Sequence, residues 1–423
     1  MNHFEPKDGE LYCEDVSLAR IAREVGTPVY VYSSATLERH YQVLHDAIAS
    51  RPELGEPLIA FAVKANSNLS VLRTLGRLGA GADTVSEGEI RRALAAGIPA
   101  DRIVFSGVGK TARELAFALD VGVAEVNVES EPEMRLLAAI AAEKGARPAI
   151  AIRVNPDVGA GGHAKISTGK AENKFGVSMA EAQRLYANAA NTGSLNPVGV
   201  ACHIGSQITE LQPLEDAFRL MRALVERLRG EGLAVERLDL GGGLGVPYFH
   251  QPDPPAPEAY AEMLSRTVGG LGVQLAFEPG RMITANAGVL VAQVLHVNER
   301  SDGRRFLVLD AAMNDLIRPA MYDAYHDIRA VSPRPGEALI YDVVGPVCET
   351  GDTFTRDRAL TPMQGGDLVA FMTAGAYGAV MSSEYNTRPL APEVLVRGGD
   401  FAVIRPRPTY EDMLAREPMA PWL

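Results

Sequence analysis

The feature that most constrains how this chain can fold is an alternation. Eight short apolar runs, at 58–63, 81–85, 102–105, 124–128, 149–154, 199–203, 237–240 and 274–277, read as strands. Amphipathic stretches such as 87–96, 112–119, 131–144, 180–189 and 214–229 lie between them. A strand followed by a helix and then another strand pairs in parallel through a right-handed crossover. Eight such units match the size of a (β/α)8 barrel. A doubly wound open sheet is the competing arrangement, and the strand count favours the barrel.

Before the barrel, 28–32 is strand-like. The next stretch, 34–49, carries Leu37, Tyr41, Leu44 and Ile48 at helical spacing, with Ser34 as the expected N-cap. Beyond Phe277 the texture changes. Short β-rich runs at 289–297, 306–310, 338–344, 368–372 and 393–396 are punctuated by turn residues, with no long helix pattern. The expected architecture is therefore α/β plus β. A TIM-like (β/α)8 barrel spans 34–283, and a second, mostly antiparallel β-sandwich or barrel domain is made of 1–33 and 284–423. The strand at 28–32 is the one element that could instead join the barrel. The proline-rich run 251–257 reads as a surface loop.

Composition bounds the function. With 423 residues, 47% hydrophobic and 22% charged, the chain has material for two ordinary domains. A net charge of −12 gives no basis for nucleic-acid binding. Residues 1–10 are polar and charged, unlike a signal peptide, and no apolar run approaches the roughly 20 residues that span a bilayer. Cys13, Cys202 and Cys348 are too widely spaced for a disulfide framework or a zinc site. A cytoplasmic protein without metal is expected.

Barrel enzymes place their chemistry where strands end and loops begin. Lys64 follows the first run, Ser86 and Glu87 the second, Asn155 the fifth, and His203 ends the sixth. Gly241-Gly242-Gly243-Leu244-Gly245 follows the seventh, and Glu278-Pro279-Gly280-Arg281 the eighth. A lysine buried at a strand end loses hydration, which favours a neutral amine able to capture an aldehyde or ketone. Alone this is a weak sign, because most such lysines are solvated. The glycines permit unusual φ and expose N–H groups to an anion such as a phosphate, although they also suit a plain tight turn. Ser206 could add a hydroxyl to that phosphate or cap a helix. His203 offers a flat ring to stack on a cofactor, against the commoner structural role of a lone histidine. Glu278, ending an apolar strand, needs a partner. Arg281 is the ordinary one, and a pyridine nitrogen, which the carboxyl would keep protonated, is the informative one. Amine, carboxyl, glycine turn and flat ring together describe a site for pyridoxal 5'-phosphate.

The motifs extend over nearly the whole chain. They include Phe61-Ala62-Val63-Lys64-Ala65-Asn66, the stretch from His163 through Lys174-Phe175-Gly176, and His203-Ile204-Gly205-Ser206-Gln207. The glycine run and Glu278-Pro279-Gly280-Arg281 follow, then Met313-Asn314-Asp315-Leu316-Ile317-Arg318-Pro319, Cys348-Glu349-Thr350-Gly351-Asp352 and Ala374-Gly375-Ala376-Tyr377-Gly378. With these the chain resembles the diaminopimelate decarboxylases, within the alanine-racemase-like (fold III) pyridoxal-phosphate enzymes. The resemblance implies that Lys64 holds the cofactor covalently, and that Gly241, Gly242, Gly243, Glu278, Pro279, Gly280, Arg281 and Tyr377 contact it, with His203 and Ser206. It implies Arg281, Arg318 and Tyr322 on substrate carboxylate, Glu349 on the distal ammonium, Tyr377 nearby, and Cys348 as the acid that returns a proton after CO2 leaves. It further implies a homodimer in which Cys348 and Glu349 reach the partner's active site. The expected reaction converts meso-2,6-diaminopimelate to L-lysine and CO2.

An arginine reads a carboxylate bidentately and a glutamate reads an ammonium, so a pocket with both selects a substrate whose far end is an amino-acid head group. Substrates lacking that second carboxylate leave the arginine unpaired. The nearest rivals are decarboxylases of ornithine, arginine or carboxynorspermidine, and Arg318 and Ser167-Thr168-Gly169 speak against the basic amino acids among these substrates. A racemase is a further alternative, with Tyr377 as one of its two acid/base groups. A non-enzymatic pyridoxal-phosphate carrier would resemble the barrel alone.

Overall fold

The computed structural model describes residues 2–159, 173–248 and 253–423. The chain divides into two compact units, Glu38–Pro247 with Gln251–Ile283, and Met1–Leu37 with Tyr248–His250 and Thr284–Leu423.

The first unit is a closed barrel of eight parallel strands: Leu58–Ala62, Gly81–Thr84, Ile103–Phe105, Glu125–Val128, Ala149–Val154, Asn196–Cys202, Arg237–Asp239 and Gln274–Phe277. Each pairs with its neighbour in sequence, and the eighth closes on the first through Ala276 opposite Leu58 and Phe277 opposite Ile59. Parallel strands are covered on both faces, which is why they read as continuous apolar runs. All five residues of the first strand are buried, and Leu58, Ala60, Val104 and Ala276 form one core cluster. Glu125, Asp83 and Asp239 break that rule, being buried acids inside strands.

Local chemistry starts the helices at the rim. Ser86 and Ser130 accept a backbone N–H as N-caps, and Thr111 and Ser178 form full capping boxes with Glu114 and Glu181. The cap of the helix Ser34–Ala49 lies one residue earlier than expected. The Ser33 hydroxyl, not Ser34, accepts the N–H of Thr36 at 3.0 Å.

In the second unit Val29–Ser33 pairs antiparallel with Gly288–Glu299 and parallel with Glu393–Arg397. It therefore belongs to the β sheet and not to the barrel. Its five residues are all buried, which explains why it lies inside the nine-stranded sheet. The sheet is mostly antiparallel, with a second parallel pair between Arg305–Leu309 and Leu339–Val344. Val29, Val31, Val289, Val291, Val394 and Val396 form its core with Leu18 and Ile21. Strands Ile328–Ala330, Thr353–Leu360 and Asp400–Arg405 and the small sheet Phe4–Lys7, Glu10–Cys13, Val16–Ser17 add to the expected runs.

Candidate active site

Lys64 sits in a single 3₁₀ turn, Val63–Ala65, directly after the first barrel strand. Its amine lies 2.8 Å from Asp83 Oδ2, with the lysine side chain 37% exposed and the aspartate fully buried. The expectation of a desolvated lysine is corrected here. The chain leaves the strand before the lysine, the side chain reaches the rim, and a carboxylate that the sequence reading missed meets it.

The Glu278-Pro279-Gly280 turn packs on that lysine turn. The Ala62 N–H donates to Pro279 O at 3.0 Å. A Cβ at Gly280 would stand 2.9 Å from Ala65 Cβ and 3.1 Å from Ala62 Cβ, so glycine is needed for this approach. Glu278 is thereby brought to the same rim. Its carboxyl receives long hydrogen bonds from Ser106 Oγ (3.4 Å) and Asn127 Nδ2 (3.5 Å). Burial first, then the neighbouring carboxyls of Asp239 and Asp83, push Glu278 well above the usual carboxylate range, with Lys64 opposing. Asp239 is raised as well, chiefly by burial, although Gly241 N–H donates to its Oδ1 at 2.8 Å. Among the described residues, Asp83 Oδ1 is a buried acceptor with no hydrogen-bond partner. Such a concentration of acid around one amine is costly unless a ligand shares it.

The glycine turn is forced by packing as well as suited to an anion. Gly241 has φ +64, and its Cβ would stand 2.4 Å from Cys202 O. A Cβ on Gly242 would stand 2.2 Å from Glu278 O, and one on Gly243 2.8 Å from Gly205 O. Gly242 N–H donates to His203 Nδ1 at 3.2 Å. That donor fixes Nδ1 as an acceptor. Burial, reinforced by the charges of Lys64 and Arg153, pushes His203 well below the ordinary imidazole range. The ring is thus held neutral at neutral pH. Ser206 caps no helix; its Oγ accepts from Arg281 Nε and a terminal guanidinium nitrogen, each at 3.2 Å. The serine–arginine pair ties the loop after the sixth strand to the short helix Arg281–Thr284 after the eighth.

Two ion pairs brace the neighbouring rim. Lys110, with a side chain only 1% exposed, donates to Glu133 (2.6 Å), Gly107 O and Asn127 O. Arg153 meets Glu129 at 2.8 Å, and Glu129 also accepts Gly107 N–H.

The remaining expected site residues lie in the β unit. Arg318 opens the short helix Arg318–Tyr322 and is 6% exposed. It donates to His326 Nε2 at 2.9 Å and lies over the Tyr248 ring at 5.5 Å. Among the described residues no carboxylate lies within ion-pair distance of it. Tyr322 ends the same helix and is partly exposed. Tyr377 has φ +56, a left-handed backbone unusual outside glycine and a mark of functional turns. Cys348 and Glu349 are exposed in a turn, and Glu349 hydrogen bonds the Tyr385 hydroxyl, which it raises. Asp352 anchors that turn. One carboxylate oxygen accepts Val347 N–H (2.7 Å) and the other Met313 N–H (2.6 Å), tying the Cys348 turn to the segment that leads to Arg318. Cys13 and Cys202 are buried.

The stretch His163 to Lys174, with Ser167-Thr168-Gly169, lies outside the described residues up to residue 172. Asp83, Asp239, Ser106, Asn127, His326 and Asp352 were not singled out from sequence. For the two aspartates a signal existed, an acid within an otherwise apolar strand.

The barrel, with a lysine turn and an acid turn on one rim, defines the class, that of the pyridoxal-dependent decarboxylases. Residues 35–285 match the family model for the pyridoxal binding domain of pyridoxal-dependent decarboxylases. The diaminopimelate decarboxylase of Zymomonas mobilis is 49% identical over 421 residues, 99% of either chain. That of Pseudomonas aeruginosa is 49% identical over the full length of both. Among solved structures, diaminopimelate decarboxylase from Helicobacter pylori complexed with L-lysine superposes with a TM-score of 0.90 at 40% identity, covering 94% of this chain and 98% of that one. Within its class the chain belongs to the diaminopimelate decarboxylase family. Among the described residues no helix is long and apolar enough to cross a membrane, and no group of side chains could hold a metal ion.

Proposed function

We propose that this chain removes one carboxyl group of meso-2,6-diaminopimelate to give L-lysine and CO2, the last step of lysine biosynthesis, with pyridoxal 5'-phosphate held at the barrel rim. The observation that carries the reading is the packing of the Glu278 turn on the Lys64 turn, beside a neutral His203. The residues fit the group: an amine, a buried carboxyl, a flat uncharged ring and a glycine turn stand together. When bound, the cofactor supplies a ring that accepts the electrons released with CO2.

Lys64 would hold the aldehyde, and Asp83, 2.8 Å from its amine, would orient it. Glu278, which burial and then the carboxyls of Asp239 and Asp83 push well above the usual carboxylate range, would share a proton with the ring nitrogen. His203 would stack on the ring, and its neutrality would avoid placing a second cation there. Ser206, Gly241, Gly242, Gly243, Pro279, Gly280 and Arg281 would hold the cofactor on its phosphate side, and Tyr377 would add a contact. Arg318, with Tyr322 and Arg281, takes substrate carboxylate. A guanidinium 6% exposed, whose partners among the described residues are a histidine and a tyrosine ring, calls for an anion. Glu349 takes the distal ammonium, and Cys348 returns the proton to Cα. The exposure of Cys348 and Glu349 supports a homodimer in which they serve the partner's site. The three free cysteines suit a reducing cytoplasm.

The test is a substrate panel on the purified, cofactor-loaded chain. Lysine and CO2 should form from diaminopimelate, with ornithine slower by orders of magnitude, and Lys64→Ala should form none. Faster turnover of ornithine would overturn the substrate assignment. Lysine formation by Lys64→Ala would overturn the role of that amine.

A further inference from the structure

The side chain that holds Arg318 is one to which no role has been given. His326 is 4% exposed. Its Nδ1 faces Met372 O at 2.9 Å, and its Nε2 faces Arg318 at 2.9 Å. A carbonyl oxygen only accepts and a guanidinium only donates. The ring therefore donates from Nδ1 and accepts at Nε2, which leaves one tautomer, neutral and protonated on Nδ1. Tyr248 completes the arrangement: its ring stands edge-on to His326 at 6.2 Å and under the Arg318 guanidinium at 5.5 Å.

We propose that His326 is the positioning residue of the carboxylate subsite: as a neutral acceptor anchored on Met372 O it fixes the Arg318 guanidinium, and when protonated it releases it. The inference rests on the reading that Arg318 takes a substrate carboxylate. An arginine side chain has several rotatable bonds, and a two-point carboxylate contact requires them fixed. A neutral acceptor directs the guanidinium without neutralising it. An aspartate in the same place would form an ion pair and compete with the substrate's own carboxylate for the same donors.

Protonation inverts the contact. With both ring nitrogens donating, Nε2–H faces an arginine donor, and two cations stand where one stood. Among the described residues, the charged and titratable groups placed against His326 and its neighbours include Arg318 from the short helix, Arg358 from the strand Thr353–Leu360, which donates to His326 O, Asp327 with its partner Arg329, Tyr325, and Tyr248. Acid that protonates the ring therefore removes the acceptor that holds Arg318 and weakens substrate binding.

The experiment uses cofactor-loaded enzyme and calorimetric binding of two probes. L-lysine keeps the distal amino-acid head group, and 1,5-diaminopentane lacks every carboxylate. For His326→Leu, lysine should bind about tenfold or more weakly, the scale of one hydrogen bond to a charged group, with diaminopentane unchanged. The KM for diaminopimelate should rise with kcat kept within about threefold. His326→Gln keeps an acceptor without a titrating ring. It should retain lysine binding at pH 8 and, on acidification, remove the part of the weakening that lysine shows and diaminopentane does not. Equal losses for both probes, or a lysine-specific acid weakening that persists in His326→Gln, would overturn the proposal. Arg318→Ala separates the two layers. If it leaves lysine affinity intact, the carboxylate reading itself fails. If it weakens lysine while His326→Leu does not, only the role of His326 fails.

Discussion

Replacing Gly242 by alanine is the most discriminating single perturbation of the rim. The added Cβ would stand 2.2 Å from Glu278 O and 3.0 Å from Glu278 C, where ordinary contact begins at 3.4 Å. Both atoms are backbone, so no side chain can swing away, and one strand end must shift by more than about 1 Å. Gly242 does not occupy the left-handed region, so the effect is purely steric. Overpacking of this kind costs about 1–3 kcal/mol of stability. The larger effect falls on function, because the displaced carbonyl belongs to Glu278, the carboxyl proposed for the ring nitrogen, and the displaced N–H is the one that holds His203. A misplacement near 1 Å in a catalytic group costs about a hundredfold in rate. The assay is kcat for CO2 release together with a urea unfolding curve. Gly109→Ala is the control, since its Cβ would meet nothing within 4 Å, and should stay within about 0.5 kcal/mol and near parental rate. A Gly242→Ala enzyme with parental kcat and an unshifted unfolding midpoint would refute the packing argument for this turn.

Other predictions follow from the same structure. Lys110→Met strands the buried Glu133 carboxyl and two carbonyls and should cost about 3–5 kcal/mol in urea unfolding, much of it recovered in Lys110→Met/Glu133→Leu. No recovery in the double variant would mean that the ion pair is not what the site depends on. Glu125 lies fully buried beside Arg237, and burial raises it to about 7. Because the folded form keeps a proton that the unfolded chain has released, stability should fall as pH rises from about 4.5 to 7, by about 3 kcal/mol for this group, and Glu125→Gln should remove that part of the slope. An identical pH–stability profile in the variant would contradict it. Asp352→Asn leaves one acceptor oxygen for two backbone N–H groups and should cost about 1–3 kcal/mol. It should also raise the KM for diaminopimelate by loosening the Cys348 turn and the segment before Arg318, and an unchanged KM would argue that Asp352 serves stability alone.

The barrel was legible because strands buried on both faces announce themselves as apolar runs. The runs at 149–154 and 274–277 coincide with the observed strands Ala149–Val154 and Gln274–Phe277. The β unit was legible only where its strands are buried. Gly288–Glu299 and Leu368–Phe371 were visible, whereas Thr353–Leu360, half exposed and interrupted by Arg356, Asp357 and Arg358, carries no alternation to detect. Lys64 and the three glycines stood out because their residue type is rare in its position. What stayed hidden are the residues whose meaning is spatial. Asp83 matters because the parallel pairing of the first two strands sets Ala62 opposite it, two residues before Lys64. His326 matters because a loop folds it back onto Arg318, eight residues earlier.

The central claim is that the amine at the barrel mouth captures the cofactor. Borohydride reduction of the loaded protein, followed by proteolysis and mass spectrometry, tests it directly. The account predicts a single pyridoxyl-modified peptide with the label on Lys64, and loss of the visible absorbance band on reduction. A label on Lys110, Lys174 or any other lysine, or none at all, would contradict it.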